Sequence, residues 1–121
     1  MTKRIEFILI LIFLSPLTFA SEIKSEIDYL LKHITEIEGT FIRNDKEHTP
    51  KEAVKHIQKK YNYFKKKITT TEEFIELSAT KSTSSGKIYY IKTEGKKVPS
   101  KEYLLEILSK YREAHKSKTE N

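Results

Sequence analysis

The chain has 121 residues, with 23 Lys+Arg against 17 Asp+Glu, a net charge of +6, and no cysteine. That length makes one domain with a modest core, and the missing cysteines exclude any disulfide staple. The positive balance admits anionic partners, yet most of its cations are lysines interleaved with glutamate, the composition of solvated helix faces.

Residues 1–20 read as a secretory signal peptide. Lys3 and Arg4 give a positive start, Phe7 to Phe19 is apolar apart from Ser15, Pro16 and Thr18, and Thr18-Phe19-Ala20 puts small residues where a signal peptidase inspects. The apolar run falls short of the ~20 residues that span a bilayer, which favours cleavage over the alternative of an uncleaved anchor. No cysteine stands near the cleavage point, which excludes a lipoprotein. Cleavage after Ala20 would leave roughly one hundred residues, a single small α+β domain over 21–114 with a polar, frayed tail over 115–121. The expected address is periplasmic or secreted, which argues against nucleic acid as a partner.

Ile23, Ile27, Leu30, Leu31, Ile34 and Ile37 recur at three- and four-residue steps and predict a helix over Ser21–Glu38, with Gly39 as its left-handed C-cap. Phe41–Arg43 is β-prone, and Asn44-Asp45 is turn chemistry. Thr49-Pro50-Lys51-Glu52 is the clearest helix start, with a Thr cap, Pro at the first helical position and Glu three residues on. Ala53, Val54, Ile57, Tyr61 and Phe64 supply that helix's buried stripe, and Lys65-Lys66-Lys67 complements its negative end. A third helix opens at Thr70 with a capping box to Glu73 and carries Phe74, Ile75, Leu77 and Ala79. A hydroxyl-rich bend, Ser82 to Gly86, feeds a strand over Ile88–Ile91. Glu94-Gly95-Lys96-Lys97 reads as a turn, and Ser100 as the cap of a last helix bearing Leu104, Leu105, Ile107, Leu108 and Tyr111. The expected fold is mainly α: about four helices with a short two-stranded antiparallel β-ribbon.

Four spaced motifs carry a resemblance. Phe41-Ile42-Arg43-Asn44, His56 with Lys60-Tyr61, Thr70-x-x-Glu73-Phe74-Ile75 and Ser82-x-x-Ser85-Gly86-x-x-Tyr89 follow in an order and at spacings similar to the YfeK-like family of small exported bacterial proteins, a domain of unknown function. The match covers about residues 25–113. It departs at Asp45-Lys46-Glu47, which replaces a Gly-containing turn, and at Tyr103, where the family pattern has a larger aromatic. The resemblance implies an exported protein without an established activity, so it lends no chemistry.

The polar motifs admit several readings. Ser82, Ser84 and Ser85 with His56 and Lys60 could serve an envelope-acting hydrolase, but no G-x-S-x-G elbow is present, and the hydroxyls equally suit backbone satisfaction at a bend. Ser85-Gly86-Lys87 lacks the remaining positions of a phosphate loop and lies between a helix and a strand in the wrong order. Glu52 and His56 form only a surface pair, short of the three or four ligands zinc wants, so no metal or cofactor is expected. Arg43 is read as a structural clamp on carbonyls or a carboxylate, with a hook for an acidic ligand as the alternative. His56 is read as a satisfied, partly buried histidine. Tyr61, Tyr63, Tyr89 and Tyr90 could stack on sugars or pack in the core. The leading expectation is a non-catalytic binding or accessory protein for an envelope component or another protein. Its contact residues would be Arg43, Asn44, His56, Lys60, Ser82, Ser85, Gly86 and Tyr89. Lys55, Lys59 and Lys66 offer a weak contact to an anionic membrane surface or glycan instead.

Overall fold

The computed structural model describes residues 16–120, with side chains from 19 to 116. The expected signal peptide falls largely outside the described residues. Helix α1 covers Pro16–Thr35, followed by strands β1 (Gly39–Arg43) and β2 (Lys46–His48) and helix α2 (Pro50–Phe64). A 3-10 turn, Lys65–Lys67, leads to α3 (Thr71–Ser78), and strands β3 (Tyr90–Thr93) and β4 (Lys96–Pro99) precede α4 (Ser100–Glu120). None of the described helices is long and apolar enough to cross a membrane.

The β component is a four-stranded antiparallel sheet in the order β2-β1-β3-β4, rather than the expected two-stranded ribbon. Two hairpins lie back to back, with Phe41 opposite Ile91 at their shared seam. Each hairpin turns on two residues of positive φ: Asn44 and Asp45 at 52° and 66°, Glu94 and Gly95 at 52° and 77°. Those turns twist with the strands and return the chain directly as β2 and β4, so the predicted turn at Glu94–Lys97 is in fact a two-residue turn and the start of a strand.

Phe41 and Ile91 face the helices and join one core with Ile27, Leu30 and Ile34 of α1, Ala53 and Ile57 of α2, Phe74 and Ile75 of α3, and Leu104 and Leu108 of α4. The three- and four-residue spacings read from the sequence are therefore the buried stripes. The helices pack on one another, and α2 and α4 also contact the sheet.

Helix ends differ from expectation, and α1 stops at Thr35, short of Glu38. Gly39 is the first residue of β1 and not a left-handed cap. A Cβ there would lie 2.2 Å from the Lys92 carbonyl oxygen, so glycine is needed for close approach of two strands. The Ser100 hydroxyl caps nothing: it is buried and has no hydrogen-bond partner. α4 continues to Glu120, past the His115 where the polar tail was expected. The capping box at Thr49 and Glu52 is present, with bonds of 3.1 and 2.9 Å, and Thr70 accepts from the Glu73 amide.

An ionic tie that no local pattern announces joins three helices. Arg112 on α4 donates to both carboxylate oxygens of Glu26 on α1, at 2.8 and 2.9 Å, and to Glu72 on α3, at 2.6 and 3.2 Å. The Thr71 hydroxyl adds a 2.6 Å bond to Glu26. These bonds hold both glutamates below the usual carboxylate range.

Candidate functional site

The site is assembled by the end of β1, one face of α2 and the residue that leads into β3. Arg43 ends β1 just before its turn. His56 and Lys60, four residues apart, project from the same side of α2. Tyr89 is held by two backbone bonds, its amide to the Thr80 carbonyl and its carbonyl to the Ser100 amide, both 2.9 Å.

The side chains interlock. The Tyr89 hydroxyl lies 3.0 Å from His56 Nε2, and Lys60 Nζ donates to the Tyr89 oxygen at 3.3 Å and to the Lys81 carbonyl at 2.7 Å. An ammonium only donates, so the phenol oxygen accepts from Lys60 while it shares a second bond with His56 Nε2. Burial, reinforced by the charges of Arg43, Lys60, His48 and Lys59, lowers the His56 pKa from 6.5 to about 4. Burial and then Arg43 also lower that of Lys60. Burial raises the Tyr89 phenol, with Arg43 pulling the other way. His56 is thus bonded to Tyr89 and kept neutral above its lowered pKa.

Arg43 overturns its expectation. Among the described residues no carbonyl or carboxylate pairs with its guanidinium, so it clamps nothing. It lines a small cavity of about 20 Å³ together with His48, His56, Tyr89 and Ser100, over walls of Phe41, Ile42, Ala53 and Ile57. The cavity has room for one water-sized group. Ser100 is 1% exposed and its hydroxyl is without a partner. From the sequence, His48 reads only as a metal ligand with Glu52 and His56, ruled out because it precedes the helix cap. The only signal for Ser100 was its place after Pro99, which reads as a cap.

The serine bend is architecture. Ser82 Oγ accepts from the Ser85 amide at 3.2 Å and lies 3.2 Å from Ser84 Oγ, while Gly86 takes a φ of 76° and its amide bonds the Ser82 carbonyl. Ser85 Oγ accepts from the Lys87 amide and donates to Asn44 Oδ1 at 2.6 Å, and Lys87 pairs with Asp45. These two side-chain bonds fasten the bend to the β1–β2 turn. The sequence-selected residues therefore form a joined patch with two functions. Arg43, His56, Lys60 and Tyr89 make the charged cluster, while Asn44, Ser82, Ser85 and Gly86 shape the adjoining bend. His56 bonds a tyrosine and not a serine, so the nucleophile–base contact that hydrolysis needs is not made here.

The chain belongs to a family of unknown function, DUF5329, whose model matches residues 21–112. Neither the curated proteins nor the solved structures hold a match to it.

Proposed function

We propose that this is an exported, non-catalytic binding protein that grips an anionic group of its ligand at the Arg43–His56–Lys60–Tyr89 cluster. One observation carries the reading. Arg43 and Lys60 are both partly buried, lie close enough to perturb the same neighbours, and have no carboxylate between them. Elsewhere even more exposed cations are paired, as in Arg112 with Glu26 and Glu72 or Lys101 with Glu76. A partly buried cation without a counter-charge is costly, and an anion from outside the chain relieves it. Export is supported by the Lys3-Arg4 start, the apolar run to Phe19, the small residue Ala20 and the resemblance to YfeK-like proteins.

Thermal shift against acetate, phosphate and sulfate in a weakly coordinating buffer tests the reading, because a ligand specific to the folded state raises Tm with its concentration. The expected result is a rise in the wild type that is lost in Arg43→Ala, whose own Tm stays near the wild-type value. A wild type indifferent to every anion overturns it, as does an equal rise in the variant.

A second reading rests on Lys55, Lys59 and Lys66, all exposed. They would dock an anionic membrane surface, and sedimentation with anionic vesicles at low salt, abolished at high salt, would favour it over the cluster.

A further inference from the structure

The interleaving of lysine with glutamate that marks most of the chain fails on α2. From Pro50 to Lys67, α2 and the 3-10 turn after it hold seven lysines and one glutamate, a formal net charge of +6. That equals the net charge of the whole chain, and the remaining residues carry 16 cations against 16 carboxylates. Lys51, Lys55, Lys59 and Tyr63 follow at four-residue steps along the side of α2 opposite the buried Ala53 and Ile57, and all four are exposed. Among the described residues, none of these lysines, nor Lys66 or Lys67, enters an ion pair. Glu52 accepts from the Thr49 amide, and Asp28, across the groove between α1 and α2, is paired with Lys24. Tyr63 ends the strip at 81% exposure, the highest of any large hydrophobic among the described residues.

We propose that the outward face of α2 docks flat on an anionic lipid surface, with its lysines on the headgroups and the Tyr63 ring seated among them. The proposal rests on the membrane reading of Lys55, Lys59 and Lys66, and adds the helix face, its orientation and its aromatic anchor. Three features select a lipid surface. The outward side of a helix is convex, so it meets a broad plane and does not enclose a small ligand; Lys51 to Tyr63 offers about 18 Å of contact at 1.5 Å per residue. Its cations are all lysines, hydrated point charges on flexible stems, which suit laterally mobile headgroups better than a fixed bidentate partner. Tyrosine joins an apolar body to a polar tip, and such rings settle at headgroup level. Because the rest of the chain sums to neutral, the field of the surface turns the molecule with α2 towards the lipid.

The test uses the chain from Ser21 onward, which holds the whole core and leaves out the apolar start that would itself bind lipid. The sequence has no tryptophan, so Tyr63→Trp places a single reporter at the end of the strip. Its emission should shift to the blue with mixed phosphatidylcholine and phosphatidylglycerol vesicles at low salt, and stay unmoved with phosphatidylcholine alone. In sedimentation with the mixed vesicles, Lys51→Gln/Lys55→Gln/Lys59→Gln should lose about a hundredfold in affinity, about fivefold per lysine, with an unchanged Tm. Tyr63→Ala should bind at least about threefold more weakly, because apolar area is no longer buried. If the triple variant loses the vesicles but the Tyr63→Trp emission never moves and Tyr63→Ala binds like the wild type, the membrane reading stands and the seated face is overturned. Binding kept by the triple variant overturns the reading and the proposal alike. Mixed vesicles that fail to bind at all also overturn both, and heparin binding in that case assigns the face to a soluble acidic glycan.

Discussion

Replacing Ser100 with alanine should make the protein more stable, which is the opposite of what most buried substitutions do. Ser100 is 1% exposed and its hydroxyl finds no partner, so the folded state holds a desolvated donor and acceptor with nothing to bond. Such a group costs roughly 1–3 kcal/mol. Against this, losing one oxygen enlarges the cavity by roughly 10–15 Å³, worth about 0.3 kcal/mol at the usual cavity coefficient. The net gain is about 1–3 kcal/mol, or a Tm increase of at least about 4 °C for a domain of this size. Calorimetry in a buffer free of carboxylates and phosphate measures it. Ser78→Ala is the control, since Ser78 is equally buried and unpartnered but does not line the cavity. Both variants should melt higher. A Ser100→Ala protein that melts below the wild type would show that the hydroxyl is bonded in solution.

Gly39→Ala should destabilise by at least about 2 kcal/mol in urea unfolding, because a backbone carbonyl of β3 blocks the new carbon; a change under about 0.5 kcal/mol would refute the close approach. Arg112→Met should cost about 1–2 kcal/mol at neutral pH, trimmed by solvent screening because Arg112 and Glu72 are about half exposed. Glu26 and Glu72 are held below 4.5, so that contribution is fully present above pH 4.5 and fades as pH falls through the depressed folded values. The wild-type and Arg112→Met stabilities should therefore converge in acid, and a difference unchanged by pH would exclude the ionic tie. His56 behaves differently: with a folded value of about 4 against 6.5, the unfolded chain takes up its proton first. Stability should decline as pH drops from 6.5 towards 4 and flatten over that range in His56→Gln, and an imidazole titrating near 6.5 by NMR would refute the burial argument.

The helices were legible because each carries a buried stripe with a helical period, and Thr49-Pro50-Lys51-Glu52 announced its cap in sequence. Lys46-Glu47-His48 and Lys96-Lys97-Val98-Pro99 were not legible as strands. They are the outer strands of the sheet and contribute no fully buried residue, so the alternation that marks a strand never develops. Only the turns between the strands left a trace. Within the site, Arg43, His56, Lys60 and Tyr89 were each nominated from residue type and spacing, and they do meet. What spacing could not supply was the missing partner of Arg43 or the stranded hydroxyl of Ser100, since both depend on what lies opposite in space. The contact between Arg112 and Glu26 spans 86 residues and has no local signature at all.

The two rims of the sheet restrict how anything can attach to this protein. An incoming strand would have to zip onto β2 or β4, each only three or four residues long, through lysines on both and through Pro99, which has no amide hydrogen to give. Recruitment by main-chain extension is therefore closed off on either side, and with it the route by which such chains assemble into fibres. A partner is then recognised by side chains, and a constellation with charge to spare is found where the first hairpin meets α2.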